Sequence, residues 1–159
     1  MAMTEATALR IIRSHVPAAI ARGLAAVHRQ NRTLWELEDK VRSTNVATTI
    51  ARHKAGIDRA NLARHAAVKV IDAAVLARYP RGLAVGARGA VVDSASVGQM
   101  LDRLSILALK RARITAPTSL QLASAQWDHV LACLDRAIAA CKAGTWVHHP
   151  AGEVKQYGR

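Results

Sequence analysis

The chain has 159 residues and a mass of 17.1 kDa, with 51% hydrophobic and 21% charged residues. That is one domain's worth of chain with enough apolar surface for a real core, which excludes a long disordered activator, a disulfide scaffold and a multidomain enzyme. Lys and Arg number 23 against 11 Asp and Glu, a net charge of +12. The excess is spread over both halves, 12 basic and 5 acidic in residues 1–70 and 11 and 6 in 71–159, so there is no basic tail. A diffuse positive field attracts nucleic acid, anionic lipid or anionic metabolites alike. The Arg- and Ala-rich usage of a GC-rich genome accounts for it equally well.

Taken in chain order, the sequence predicts an all-α protein: an antiparallel bundle of about four main helices with a short N-terminal helix and an irregular C-terminal tail. The expected organisation is one domain over 1–159, with a core at about 18–143, a loop at 80–95 and a tail at 144–159. A short helix is expected over Glu5–His15. Pro17 suits the first turn of the next helix, about 18–43. Its apolar stripe is Ile20, Leu24, Val27, Leu34 and Val41, a helical period whose missing positions are filled by Asn31 and Glu38. His28, Trp35, Asp39 and Arg42 flank that stripe.

A second long helix is expected over about 46–79, with Ile50, Ile57, Val68, Val75 and Tyr79 as its stripe. Asn61 and Asp72 take the missing positions, and Asp58, Arg64 and His65 lie along its edges. Buried polar groups need partners, so Asn31, Glu38, Asn61 and Asp72 are expected to converge between these two helices. The loop at 80–95 is long for a bundle connection and reads as a lid, a ligand-binding loop or disorder.

The third main helix starts near Ser94 or Ser96, either a good N-cap. Residues 97–110 are apolar almost all round, so this helix is expected to be the most buried. Asp102, Arg103 and Ser105 interrupt it; the Ser105 hydroxyl is expected to bond the preceding turn. Pro117 opens a last helix at about 118–143, closed by Gly144. The tail, with Trp146, His148, His149 and Tyr157, is expected to pack partly back on the bundle.

No Walker loop, dinucleotide fingerprint or nucleophile elbow occurs, and no cofactor is indicated. Glu-x-x-His is absent, and His28, His65, Glu38 and Asp58 are spaced too widely to guarantee convergence, so no metal site is expected. Cys133 and Cys141 lie eight residues apart on one helix, about 12 Å of rise, too far for a mutual disulfide. With no long apolar run at the start, no 18-residue apolar stretch and reduced cysteines, the expectation is a cytoplasmic protein without a membrane span. Only three Trp, two Tyr and no Phe are present, so base-stacking platforms are scarce.

The polar residues inside the stripes are therefore the candidate site. Arg42, Arg64 and Arg103 offer forked donors for an anion; Asn31, Asn61, Trp35 and Asp102 are candidate ligand-binding partners. His28, Asp39, Glu38 and Asp58 are the candidates for acid–base work. The alternative for the whole set is a buried ion network that fixes helix register.

Three segments carry a resemblance. V-H-R-Q-N-R-T-L-W-E-L-E-D-K-V-R (27–42), I-D-R-A-N-L-A-R-H (57–65) and S-A-S-V-G-Q-M-L-D-R-L-S-I-L-A-L-K (94–110) resemble a bacterial family of all-helical domains of unknown function often seen near glycosyltransferase genes. Its members read L-H-R-x-N-x-x-L-W-H-x-E-D, I-D-x-x-N-x-x-R-N-D and T-P-G-S-x-x-D-R-L-S-I-L-x-L-K. The resemblance covers about residues 20–143 in the same order. Carried over by position, it marks His28, Arg29, Asn31, Trp35, Glu38, Asp39 and Arg42 on the first long helix. On the next two helices it marks Asp58, Asn61 and Arg64, then Gly98, Asp102, Arg103 and Lys110. The chain departs from the pattern at Glu36, where the family has His, at His65–Ala66, where it has Asn–Asp, and at 96–99, where it has Thr–Pro–Gly–Ser. The resemblance implies work on polysaccharide or glycoconjugate precursors.

The expected function is the handling of an anionic small molecule, a sugar nucleotide or glycan precursor, in an interhelical polar cleft. The alternative is a non-catalytic interaction or scaffold subunit that binds another protein or a second copy of itself. Non-specific nucleic-acid binding is the third reading and rests on charge alone.

Overall fold

In a computed structural model, residues 3–148 are described; His149 and Tyr157 of the expected tail lie outside them. Five helices follow one another: α1 (Glu5–Ser14), α2 (Ala18–Arg42), α3 (Ala47–Arg78), α4 (Val97–Arg113) and α5 (Pro117–Ala143). The all-α expectation holds. None of these helices is long and apolar enough to cross a membrane.

The four-residue turn at 43–46 folds α2 back on α3. At one end of this hairpin Gly23 faces Ile71 so closely that a Cβ there would run into the isoleucine side chain. At the other end Gly56 faces Leu37, so the two helices run antiparallel. Helix α4 lies across both, with Arg64 of α3 opposite Asp102 and Val68 opposite Gly98. Helix α4 contacts each of the other four helices. That centrality explains its composition: Val97, Leu101, Leu104, Leu107, Ala108 and Leu109 are all buried. They meet Ile20, Leu24 and Val27 of α2, Ile71 and Val75 of α3, Leu134 and Ile138 of α5, and Ala8 and Ile12 of α1 in one core.

The start of α4 is fixed from two sides. Ser96 and Gln99 form a capping box, with Gln99 N donating to Ser96 Oγ at 3.2 Å and Ser96 N donating to Gln99 Oε1 at 2.8 Å. From α3, Asp72 accepts the Ser96 hydroxyl at 2.7 Å and the Gly98 amide at 2.7 Å. A carboxylate at a helix N-terminus meets unpaired amides and the positive end of the helix dipole. Asp72 therefore caps α4 instead of joining the polar residues between α2 and α3.

Length governs what is covered. Helix α3 has 32 residues and α4 has 17, about 48 Å against about 26 Å. The turn end of the α2–α3 hairpin thus projects past the end of α4. Glu38 has the phase of the apolar stripe but is exposed, and Ile50 and Ile57 are only half-buried.

The segment between α3 and α4 is tied to the chain after α5. Val91 N donates to Thr145 O at 2.8 Å, Val147 N to Val91 O at 3.0 Å and Leu83 N to Trp146 O at 3.2 Å. Trp146 and Val147 are buried, as expected of a tail that packs back. Gly144 caps α5 with φ of 70°, a left-handed conformation that a Cβ would strain.

Candidate functional site

Two polar assemblies share the α2–α4 contact. The first is a buried chain of hydrogen bonds. Asp102 on α4 can only accept at neutral pH, so the Asn31 amide nitrogen faces it, at 2.8 Å. The same nitrogen donates to Ser105 Oγ at 3.1 Å. The Ser105 hydroxyl hydrogen is then available to His28 Nδ1 at 2.9 Å, and His28 Nε2–H donates to Glu5 Oε1 at 2.7 Å. Each member of this chain has a hydrogen-bond partner.

Glu5 is also reached by Arg113, at 3.2 Å, and Arg32, at 3.6 Å. Burial works to raise its pKa, but the hydrogen bond from His28 and the neighbouring Arg113 and Arg32 guanidinium charges outweigh it. The carboxyl is held below its ordinary value.

The order serine, histidine, carboxylate has the form of a nucleophile chain, but the geometry is that of a strut. Ser105 is 0% exposed and His28 6%, so no substrate carbonyl reaches the hydroxyl. Both His28 nitrogens are engaged, leaving neither to take a substrate proton. What the chain does is hold Asn31 and Asp102 in fixed orientations.

Those two residues back the second assembly, a cleft of ≈ 330 Å³ between α2, α3 and α4. It is lined by Asn31, Leu34, Trp35, Glu38 and Arg42 of α2, by Arg64 of α3 and by Ile106 and Leu109 of α4. One flank is apolar and aromatic, the other polar. Arg64 sits 3.9 Å from Asp102, within ion-pair reach but beyond a hydrogen bond. Its Nε is buried and has no hydrogen-bond partner. Arg42, at the mouth, pairs with Asp39 at 2.6 Å and Glu38 at 3.8 Å. Arg113 lies over the Trp35 ring, 5.5 Å from its centroid.

Of the sequence-predicted residues, Asn31, Trp35, Glu38, Arg42 and Arg64 come together in this cleft. Asp102 stands directly behind it, and Asp39 stands outside on Arg42. His28 belongs to the buried chain. Asp58 is exposed and Asn61 half-buried, and neither lines the cleft. Arg103 points the other way, to Gln126 of α5 at 3.3 Å. Sequence reasoning missed Glu5 altogether and gave Ser105 a different partner: its hydroxyl bonds across to α2, not to the preceding turn. The spacing of Asp102 and Ser105, three residues apart on one helix face, was the available signal for Ser105.

On the opposite flank of α2 a second groove, of ≈ 500 Å³, is bounded by Arg13 of α1 and by His28, Arg29, Arg32 and Glu36 of α2. Among the described residues no three His, Cys, Asp or Glu side chains are grouped to hold a metal ion. Cys141 is buried, which pushes its thiol pKa up to about 11.

A family model described as "Protein of unknown function (DUF4254)" matches residues 22–143, the span that contains every residue of the cleft. No curated protein and no solved structure matches the chain.

Proposed function

The chain belongs to the DUF4254 family, and on that premise we propose that it handles an anionic small molecule, a sugar nucleotide or another phosphorylated glycan precursor, in the cleft between α2, α3 and α4. The observation that carries the reading is the Arg64 guanidinium. Its buried Nε has no hydrogen-bond partner and lies in the cleft lining beside Trp35, Asn31 and Glu38. A buried unsatisfied donor is costly, and a phosphoryl oxygen is the acceptor that a guanidinium fork fits best.

The other groups suit a sugar attached to that phosphate. The Trp35 ring offers an apolar face for the C–H side of a pyranose, while Asn31 and Glu38 offer partners for hydroxyls. At ≈ 330 Å³ the cleft is at the small end of ligand sites, which run from about 300 to 1,000 Å³. It holds one phosphorylated sugar unit, and a nucleoside would extend past Arg42 into solvent. Glu38 is the carboxylate of the lining and the residue placed for any general-base role. Reduced cysteines fit a cytoplasmic setting.

The test is calorimetry with sugar phosphates and sugar nucleotides on wild type, Arg64→Ala and Arg42→Ala. Binding by wild type, weakened at least about tenfold in Arg64→Ala, is expected. Folded wild type that binds none of them would overturn the reading. A second reading, an interaction subunit, is supported by the exposed Leu62, Val70 and Leu76 on α3.

A further inference from the structure

We propose that the groove between α1 and α2, on the flank of α2 turned away from the cleft, is a second anion site and that it takes a diphosphate group. Its walls come from two helices. Leu9 and Arg13 of α1 face Ala25, Arg29, Arg32 and Glu36 of α2. Residues 25, 29, 32 and 36 follow at steps of four, three and four, which sets them on one face of α2. Three guanidinium groups therefore line the groove against one carboxylate. Like charges gathered in this way repel, and an anion lying among them removes that cost.

The arginines of the groove are engaged differently from those of the cleft. In the cleft, Arg42 pairs with Asp39 and Glu38, and Arg64 stands within ion-pair reach of Asp102. In the groove, the Arg13 and Arg29 side chains make no hydrogen bond or ion pair with any of the described residues. Arg32 stands 3.6 Å from Glu5 and 3.9 Å from Glu36, close enough to be steadied but too far for a hydrogen bond. Its donors remain free as well.

The same lining points to the class of anion. A guanidinium fork matches two oxygens of a phosphoryl group. Arg29 and Arg32 stand one turn apart on α2, and Arg13 opposes them from α1. The three forks border a space of ≈ 500 Å³, more than a single phosphoryl group fills and within the range of small-molecule sites. The rest of the lining offers little else to read. Leu9 and Ala25 are aliphatic, the Thr33 hydroxyl donates to Arg29 O at 3.1 Å, and both His28 nitrogens are engaged with Ser105 and Glu5. No aromatic ring lines the groove to stack a base. None of the large exposed hydrophobic side chains lines it to enter a bilayer. A small phosphorylated molecule is therefore favoured over nucleic acid and over a lipid surface. The inference does not rest on the reading of the cleft.

Calorimetry of the full chain with inorganic pyrophosphate, at about 0.15 M salt, tests it. An Arg64→Ala background removes the spare donor of the cleft, and binding is expected to persist there. Arg29→Ala and Arg13→Ala should each weaken it about tenfold or more. Both side chains are exposed, so the fold is retained, which circular dichroism checks. Arg22→Ala removes an equal charge from α2 outside the groove and should leave the affinity unchanged. Glu36→Gln should tighten binding about two- to fivefold, because it removes the competing carboxylate. Orthophosphate should bind about tenfold more weakly than pyrophosphate, or weaker still. Adenosine diphosphate binding more tightly than pyrophosphate identifies a diphosphate ester as the occupant, and the reverse order identifies free pyrophosphate. A folded Arg64→Ala chain that binds no pyrophosphate would overturn the inference and leave the cleft reading standing. An equal loss in Arg22→Ala would overturn it too, by making the diffuse positive field the cause, as would displacement of pyrophosphate by duplex DNA at the same salt.

Discussion

The Ser105 hydroxyl lies 2.9 Å from Nδ1 of His28 and joins two helices 77 residues apart in sequence. Because Ser105 is 0% exposed, water cannot replace it. Ser105→Ala would leave the imidazole without a donor at Nδ1 and remove one of the two acceptors of the Asn31 amide. A loss of about 1–3 kcal/mol is expected, read by urea unfolding. A cost below about 0.5 kcal/mol would show that the chain of bonds is not a strut.

The Glu5–His28 contact gives this stability a pH dependence of known sign. The Glu5 carboxyl is depressed below its ordinary value of 4.5 in the folded protein, so the unfolded chain binds its proton more readily. Its contribution is complete above the ordinary value and is lost as pH falls through the folded one. Wild type should therefore melt above Glu5→Gln at neutral pH, and the two curves should converge on acidification below about pH 4. Parallel curves from pH 7 to 3 would contradict the ion cluster.

Gly98 is required by closeness. A Cβ there would stand 2.7 Å from Val68 O and 2.8 Å from Asp72 Oδ1, pressing on both the α3 backbone and the carboxylate that caps α4. Gly98→Ala should destabilise by about 1–3 kcal/mol with little change in circular dichroism. A neutral substitution would mean that α3 and α4 separate without cost.

The two cysteines should differ in reactivity. Cys141 is buried with a thiol pushed up to about 11, whereas Cys133 is partly exposed with the Arg136 guanidinium at 3.3 Å. Thiolate is the reactive form. An alkylating reagent should label Cys133 in the native protein and reach Cys141 only on unfolding. Peptide mass spectrometry after brief labelling checks this.

Periodicity alone placed the helices, because the apolar stripes of α2, α4 and α5 repeat at the helical period and Ser96, Pro117 and Gly144 mark their ends. It also put Asn31 on an inward face and Arg64 at the edge of one. Phase, however, gives a face and not the neighbour found at a given height. Glu38 shares a phase with Asn31, yet it is exposed and lines an open cleft instead of the core. Asp72 shares a phase with Asn61 but meets the first turn of α4. Glu5 was illegible: nothing in a short amphipathic helix tells that its first residue will face a histidine 23 positions later. The contact of α1 with α4 decides that, and no local pattern encodes it.

The bridge between Val91 and the residues around Trp146 bears on how the chain tolerates being broken. The Gly86–Gly89 turn lies beyond that bridge, and nothing stands within 4 Å of where a Cβ would sit at either glycine. A backbone cut there severs the covalent link between the α1–α3 part and the α4–α5 part but removes no core contact. The halves stay joined by Asp72 on the start of α4, by Ser105 and Asp102 on α2, and by the bond from Leu83 N to Trp146 O. The protein is thus built as two complementary fragments with their join at the surface, the place where insertion, nicking or a new pair of termini is best accommodated.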